Sequence, residues 1–212
     1  MTLHQNPRRL TGLRPSATPR PTAGQAAAGG TAAHDGASTS ARALARTAAV
    51  LRLLTAFTFL WAFVDKIFGL GYATGAGRGW TEGGSPTRGF LSGVSSGPME
   101  STFHTWAGAA WADWAFMLGL LGIGAALASG VALRLAALAG TAMMTLMWVA
   151  EWPPARHLSD GSPSMSTNPF IDYHVLYAVV LVLLAVAQAG RTWGLGAAWA
   201  RLPLVDRNRL LR

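Results

Sequence analysis

Five ionisable side chains stand near the ends of apolar segments and have the chemistry for proton transfer. They are Asp65, Lys66, Asp113, Asp172 and His174. A charged group inside a membrane is costly, by roughly 2.5 to 3.5 kcal/mol on insertion scales, so it faces a partner or a wet cavity more often than lipid. Asp65, Lys66, Asp113 and His174 have the same predicted depth, and we therefore expect them to share one pocket.

Each of these residues also has a structural alternative. Lys66 can extend to the interface while Asp65 pairs with a loop arginine. Asp113 and Asp172 stand where helices are predicted to begin, so each carboxylate can cap a helix. His174 can exchange a proton with a quinone or bound anion, or make an interfacial hydrogen bond. Residues two apart on a helix point to nearly opposite sides, so Asp172 and His174 can bind one ion only if the helix begins between them.

Several kinds of chemistry are excluded or disfavoured. The 212-residue chain has no cysteine, which rules out thiolate nucleophiles, disulfides and iron–sulfur ligation. No two histidines have i, i+3 or i, i+4 spacing, so we predict no metal site. The net charge of +8 comes from basic residues that are not clustered as in a DNA-binding protein, and we expect no nucleic-acid partner.

The elements that must position these residues are membrane helices. Of the residues, 51% are hydrophobic and only 12% are charged, about half the charge of a soluble domain. Four apolar segments, each close to the roughly 20 residues that span a bilayer, are predicted at 47–69, 111–129, 131–149 and 173–190. The sequence therefore predicts an all-α membrane protein, an antiparallel four-transmembrane-helix bundle with two structured outer loops, 70–110 and 150–172.

The chain divides into three predicted parts. Residues 1–42 contain no aromatic and few large apolar side chains to build a core, and are predicted to be a disordered cytoplasmic tail. Residues 43–195 form the membrane domain, and residues 196–212 form a basic cytoplasmic tail. Thirteen of the 17 basic residues lie on one side of the spans, so the positive-inside rule places both termini in the cytoplasm. Abundant arginine, alanine and glycine are typical of a GC-rich genome, and we expect a bacterial plasma membrane.

A family resemblance is carried by several runs of sequence together. They are Pro86-Thr-Arg-Gly-Phe-Leu91, Ser96-Gly-Pro98, the second span from Trp111 to Gly124, Asn168-Pro-Phe-Ile-Asp-Tyr-His174 with Tyr177, and Gly190-Arg-Thr-Trp-Gly-Leu195. These runs resemble the DoxX-like family of membrane proteins, over roughly residues 52–195. The Asn-Pro-Phe to His stretch is the most specific part of the match.

The resemblance implies a four-helix membrane protein, and the DoxD-like branch is similar to the large subunit of thiosulfate:quinone oxidoreductase. It implies a subunit that passes electrons from an outer-side reductant, such as thiosulfate, to membrane quinone with the help of a second subunit. We expect Trp61, Trp114 and Tyr177 to contact the quinone, with Trp61 one helical turn before Asp65. The alternative is a non-catalytic scaffold or anchor for redox or stress enzymes. Membrane lipid is the expected environment, and a homo-oligomer is compatible with either function.

The charge asymmetry makes a testable prediction about topology. Reporter fusions at Arg212 and in the loop near Ser95 should report opposite compartments, because an even number of spans returns the chain to its starting side. A reporter that is active in only one compartment shows on which side of the membrane each fusion site lies. The same compartment for both fusions would end the model with four spans.

Overall fold

The structure, a computed structural model, describes residues 23–208, 210 and 211, with side chains from Ser38 onward. Within this part of the chain the regular elements are all helical, and His157 and Pro163 form an isolated β-bridge. The α-helices are α1 Ala23–Phe68, α2 Arg88–Ser92, α3 Glu100–Trp106, α4 Ala110–Ser129, α5 Leu133–Glu151, α6 Tyr173–Val186, α7 Gly196–Trp199 and α8 Pro203–Arg207. Two 3-10 turns, Trp80–Glu82 and Ala189–Arg191, complete the elements.

Three of these helices are long and apolar enough to cross a membrane. They are α4, α5 and the part of α1 from Ser38 to Phe68, which has 31 residues. This confirms the prediction of an all-helical chain with membrane-length apolar helices. The fourth predicted segment contains the shorter α6, whose 14 residues end at Val186 rather than continuing to Gly190. The helix stops there because Gln188 adopts a left-handed backbone conformation, with a φ of 50°.

Large apolar side chains also cover the outward faces of the helices. Phe57 of α1, Leu118 of α4, Leu138 of α5 and Val179 of α6 each have about 60% of their surface exposed, at 63%, 58%, 60% and 61%. A helix that is apolar on its outward face as well as its inward face is typical of lipid contact. The outer surface of these helices therefore suits a hydrocarbon environment.

One hydrophobic cluster draws side chains from α1, α4, α5 and α6. Its buried members include Phe59 of α1, Ile123 of α4, Met144 of α5 and Leu184 of α6. Small residues bring the helices together: a Cβ at Gly124 would lie 2.7 Å from Cγ of Leu60. Because lipid is as apolar as the core, close packing at such positions holds membrane helices together.

The first helix begins earlier than composition indicates. Its backbone is helical from Ala23, within the segment predicted to be a disordered tail. The residues from Ala23 onward are rich in alanine, the strongest helix former. The chain divides between Ala41 and Arg42 into two units. The predicted disorder of residues 1–22 lies outside the described residues.

The two long loops pack on each other over the ends of α4 and α5. We call residues 80–106 and 152–172 together the cap. Phe103 and Val94 of the first loop are buried against Ala150 of α5. The amide of Ser159 donates to the carbonyl of Ser95 at 2.7 Å, which joins the two loops. The four prolines of the second loop leave it without a helix, since proline removes a backbone donor and restricts the residue before it.

The segment after α6 also folds, although residues 196–212 were predicted to be a tail. It forms α7 and α8, and Val205 is buried with only 2% of its surface exposed. The indole N–H of Trp199 donates to the carbonyl of Leu211 at 2.6 Å. The described part of the predicted tail therefore has local structure.

Substituting two glycines of α4 tests the helix contact. Gly124→Val should lower the free energy of unfolding by about 1 to 3 kcal/mol, because the added side chain must displace Leu60. Gly122→Val is the matched control, since a Cβ there meets nothing within 4 Å. Thermal unfolding of the two purified variants measures the difference. Equal losses would contradict a close contact between α1 and α4 at Gly124.

Candidate functional site

A cluster of four polar side chains lies where α5 ends and α6 begins. The α5 helix ends at Glu151 because Trp152 adopts a left-handed conformation and Pro153 and Pro154 follow it. The α6 helix begins at Tyr173, immediately after Asp172. These two helix ends bring Glu151, Asp172, Tyr173 and His174 together.

Asp172 caps α6, as the sequence predicts. Its Oδ1 accepts a hydrogen bond from the amide of Val175 at 3.2 Å, and its backbone is extended. Because the helix begins between Asp172 and His174, the second carboxylate oxygen is free to reach the imidazole. Oδ2 lies 2.8 Å from Nδ1 of His174. The helix thus begins between Asp172 and His174, which lets both side chains face one ion or proton.

The two ring nitrogens of His174 face different surroundings: Nδ1 faces carboxylates that are partly exposed, and Nε2 is buried. Only 1% of its surface is exposed, against 14% of the Asp172 side chain and 35% of the Glu151 side chain. Its Nδ1 lies 3.9 Å from Oε2 of Glu151, so both carboxylates face the same ring nitrogen. The opposite nitrogen, Nε2, is buried and has no hydrogen-bond partner among the described residues. With Nδ1–H donated to Asp172, Nε2 is the atom that can exchange a proton with a group inside the bundle.

Tyr173 fixes the position of Glu151. The Tyr173 hydroxyl donates to Oε1 of Glu151 at 2.6 Å, and its ring lies 4.0 Å from that of His174 between centroids. The sequence analysis does not include Glu151 or Tyr173 in the site. Glu151 lies at the end of the third predicted segment, at a depth that matches His174, and this depth is the signal that could have identified it.

The same cluster has ligands suited to a metal ion. One atom each of Glu151, Asp172 and His174 lies within 4.8 Å of the others. Imidazole and carboxylate suit divalent ions such as zinc or manganese. An ion bound through Nδ1 would replace the proton between His174 and Asp172, so proton and metal compete for one position.

Asp113 has a structural role different from the predicted cap. The N-cap of α4 is Ala109, and Asp113 lies in the first turn with 6% of its surface exposed. Its Oδ1 accepts from the hydroxyl of Ser85 at 2.8 Å and from the amide and hydroxyl of Thr87 at 3.1 and 2.5 Å. The carboxylate therefore holds the start of the cap against α4.

Asp65 and Lys66 hold the end of α1. Oδ2 of Asp65 accepts from the amide of Thr74 at 2.7 Å, whereas Oδ1 is buried without a partner among the described residues. The ammonium of Lys66 lies 5.8 Å from the ring centroid of Phe116, within range of a cation–π interaction. Asp65 thus orders the loop that follows α1.

The aromatic residues expected to contact a quinone have separate neighbours. Trp61 packs against Tyr72 with 5.2 Å between centroids. Trp114 packs against Trp80 at 4.6 Å, and Tyr177 meets Phe59 at 6.5 Å. These contacts lie within the protein, and none joins Trp61, Trp114 and Tyr177 to one another.

Direct polar contacts connect only part of the predicted site. Among the described residues, Asp172 bonds to His174, and Lys66 interacts electrostatically with its neighbour Asp65. The hydrogen bonds of Asp65 and Asp113 go to two different stretches of loop. Neither of the two described cavities is lined by a residue of the predicted site. The pocket shared by Asp65, Lys66, Asp113 and His174 stays a prediction.

Comparison of the chain with family models, with curated proteins and with solved structures finds no match.

The bonds of Asp113 give a prediction about the cap. Asp113→Ala leaves the Ser85 and Thr87 donors without their acceptor, and should lower the free energy of unfolding by roughly 1 to 3 kcal/mol. Amide hydrogen exchange around residues 85–88 should become faster, as measured by mass spectrometry. Asp160→Ala is the control, because its carboxylate bonds only within its own turn, to Ser162. Unchanged exchange at residues 85–88 would show that Asp113 does not hold the cap.

Proposed function

We propose that this chain is a bacterial plasma-membrane protein with four spans, both termini in the cytoplasm and the cap outside. The fourth span is α6, about 21 Å long at 1.5 Å per residue, against a hydrocarbon core of about 30 Å. The remaining depth is crossed by the turn at Ala189–Arg191, in which Ala189 and Gly190 are buried. Irregular backbone is tolerated at membrane depth where protein surrounds it. The contribution of α6 to the core shared with α1, α4 and α5 supports this count.

We propose further that the chain is the membrane subunit of a quinone-linked oxidoreductase, as the resemblance to the DoxX-like family implies. The observation that carries this is His174, a buried imidazole held by Asp172 with its other nitrogen unpartnered among the described residues. Reduction of a quinone takes up two electrons and two protons, and the electrons come from an outer-side reductant such as thiosulfate. The proposed role of this chain is to deliver the protons.

His174 fits a quinone carbonyl because Nε2 is a buried polar atom without a hydrogen bond. In the proposed reaction, the ring carries its proton on Nε2 while Asp172, protonated from solvent, donates to Nδ1. Nε2–H gives its proton to the bound quinone as Nδ1 takes the proton of Asp172, which leaves a neutral imidazole joined to the carboxylate through Nδ1–H. Asp172 draws its proton from solvent through Glu151, and exposure decreases from Glu151 to Asp172 to His174. His174 is only 1% exposed, so neighbouring side chains must move aside for a ring to reach Nε2.

A second candidate function is the scaffold that recruits redox or stress enzymes. It is favoured by the structural use of the other buried charges, since Arg52, Asp65 and Asp113 each bond to backbone or hydroxyl groups that hold the fold together. A scaffold requires no proton path, and its surface alone would recruit a partner. Under either function, a second subunit and self-association are proposals.

Substitution of His174 separates the two functions. In a quinone-reduction assay with the partner subunit and thiosulfate, His174→Ala should lower the rate about 10²-fold or more, since a positioned acid or base contributes that much. His157→Ala is the matched control, because His157 is exposed on the same cap. Protein abundance and elution volume check that both variants fold.

Asp172→Asn keeps the test decisive if His174→Ala does not fold. Asparagine caps a helix as well as aspartate, so α6 should keep its first turn while the imidazole loses its anionic partner. The quinone-reduction rate should fall and the melting temperature should change little. Wild-type rates in both variants, or a wild-type protein that reduces no quinone with its partner present, would favour the scaffold.

A further inference from the structure

A cavity of about 430 Å³ lies at the opposite end of α5 from His174. It is formed by the hairpin between α4 and α5 and by the segment that follows α6. Two arginines from separate elements line it, Arg134 in the first turn of α5 and Arg191 in the 3-10 turn. Gln188 adds an amide, and none of the described lining residues is acidic.

The cavity has further sources of positive potential. Its floor includes Gly130, and the guanidinium of Arg52 lies directly behind this glycine, with Nη1 3.1 Å from the position of a Cβ. Arg52 is fully buried and bonds to carbonyl groups. The cavity also lies at the N-terminus of α5, where the N-cap Ala132 makes no side-chain cap bond. The positive end of the helix dipole therefore adds to the two arginines.

One side of the same cavity is apolar. Leu133, Ala185 and Trp199 line it beside the arginines. An indole next to guanidinium groups is typical of the membrane interface, where one end of a ligand is apolar and the other is charged. The combination suits an anion that carries a hydrocarbon part better than a simple inorganic ion.

We propose that this cavity binds the phosphate ester of an anionic phospholipid in the leaflet at the N-terminus of α5. Arg134 and Arg191 bind the phosphate oxygens, which match the planar donors of a guanidinium. Trp199 and Leu133 contact the glycerol and the first part of the acyl chains. Under the proposed topology this is the cytoplasmic leaflet, where basic pockets between helices bind acidic head groups.

The test is a lipid titration of the detergent-purified full-length chain, with the thermal unfolding midpoint as readout. Phosphatidylglycerol should raise the midpoint, whereas phosphatidylcholine should raise it much less. Arg134→Gln and Arg191→Gln should each weaken the apparent affinity for phosphatidylglycerol about tenfold, as expected for loss of a charge-assisted hydrogen bond. Arg201→Gln is the matched control. Arg201 is exposed and follows the lining residue Ala200, but it does not line the cavity itself.

Ala132→Asp provides a second variant that does not remove an arginine. Aspartate tolerates the left-handed conformation that Ala132 adopts, with a φ of 48°, better than most residues do. A carboxylate there competes with the phosphate for the positive end of α5. The protein should stay folded, with an unchanged elution volume, while the shift caused by phosphatidylglycerol is lost.

A parallel titration with glycerol 3-phosphate distinguishes the source of the phosphate. A shift with phosphatidylglycerol alone supports a lipid, and an arginine-dependent shift with both compounds supports a phosphate site that also accepts soluble esters. Equal shifts with phosphatidylglycerol and phosphatidylcholine would overturn the proposal. An equal loss of affinity for phosphatidylglycerol in Arg201→Gln would also overturn it. So would a midpoint shift that stays at the wild-type size in Arg134→Gln, Arg191→Gln and Ala132→Asp.

Discussion

The bundle depends on one buried cation whose guanidinium donates to carbonyl groups of two other segments. Arg52 of α1 is 0% exposed and donates to the carbonyls of Leu127 and Ala128 in the last turn of α4 and to that of Trp193 after α6. The last carbonyls of a helix have no partner within the helix and carry its negative end charge. One side chain therefore completes α4 and ties it to α1 and to the segment after α6. Close glycine contacts allow this, since a Cβ at Gly190 would overlap the carbonyl oxygen of Gly130.

At the opposite end of the bundle, buried carboxylates accept hydrogen bonds from neutral N–H and O–H groups. Asp113 accepts from an amide and two hydroxyls, and Asp65 accepts from an amide, so each buried carboxylate is held by donors of a loop. A buried charge compensated in this way is fixed in one place, because moving it would leave those donors unsatisfied. His174, by contrast, lies within ion-pair distance of two carboxylates, those of Asp172 and Glu151. A group that can hold or release a proton therefore lies beside two carboxylates at the junction of α5 and α6.

Hydrophobic pattern was sufficient to locate helices but not to locate contacts. The predicted segments 111–129 and 131–149 differ by at most two residues at either end from α4 and α5, because each is bounded by a turn. Glu151 and His174 could not be paired from sequence, since their approach depends on the path of the loop between them. The partners of Asp113 lie 26 to 28 residues earlier in a loop without periodicity. Long-range polar contacts of this kind depend on tertiary structure and leave no local signal.

The two oxygens of Asp172 join the folding of α6 to the orientation of the imidazole. Oδ1 accepts from Val175 and so starts the helix, while Oδ2 accepts from His174 and so fixes its ring. A proton on Asp172 weakens the bond from Val175, because a neutral carboxyl is the poorer acceptor, and it lets Oδ2–H donate to Nδ1 instead of accepting from it. A proton that passes through Asp172 therefore loosens the first turn of α6 for as long as it stays there. Since His174 lies in that turn and is buried, the proton path proposed above would couple proton transfer to loosening of the segment that encloses Nε2.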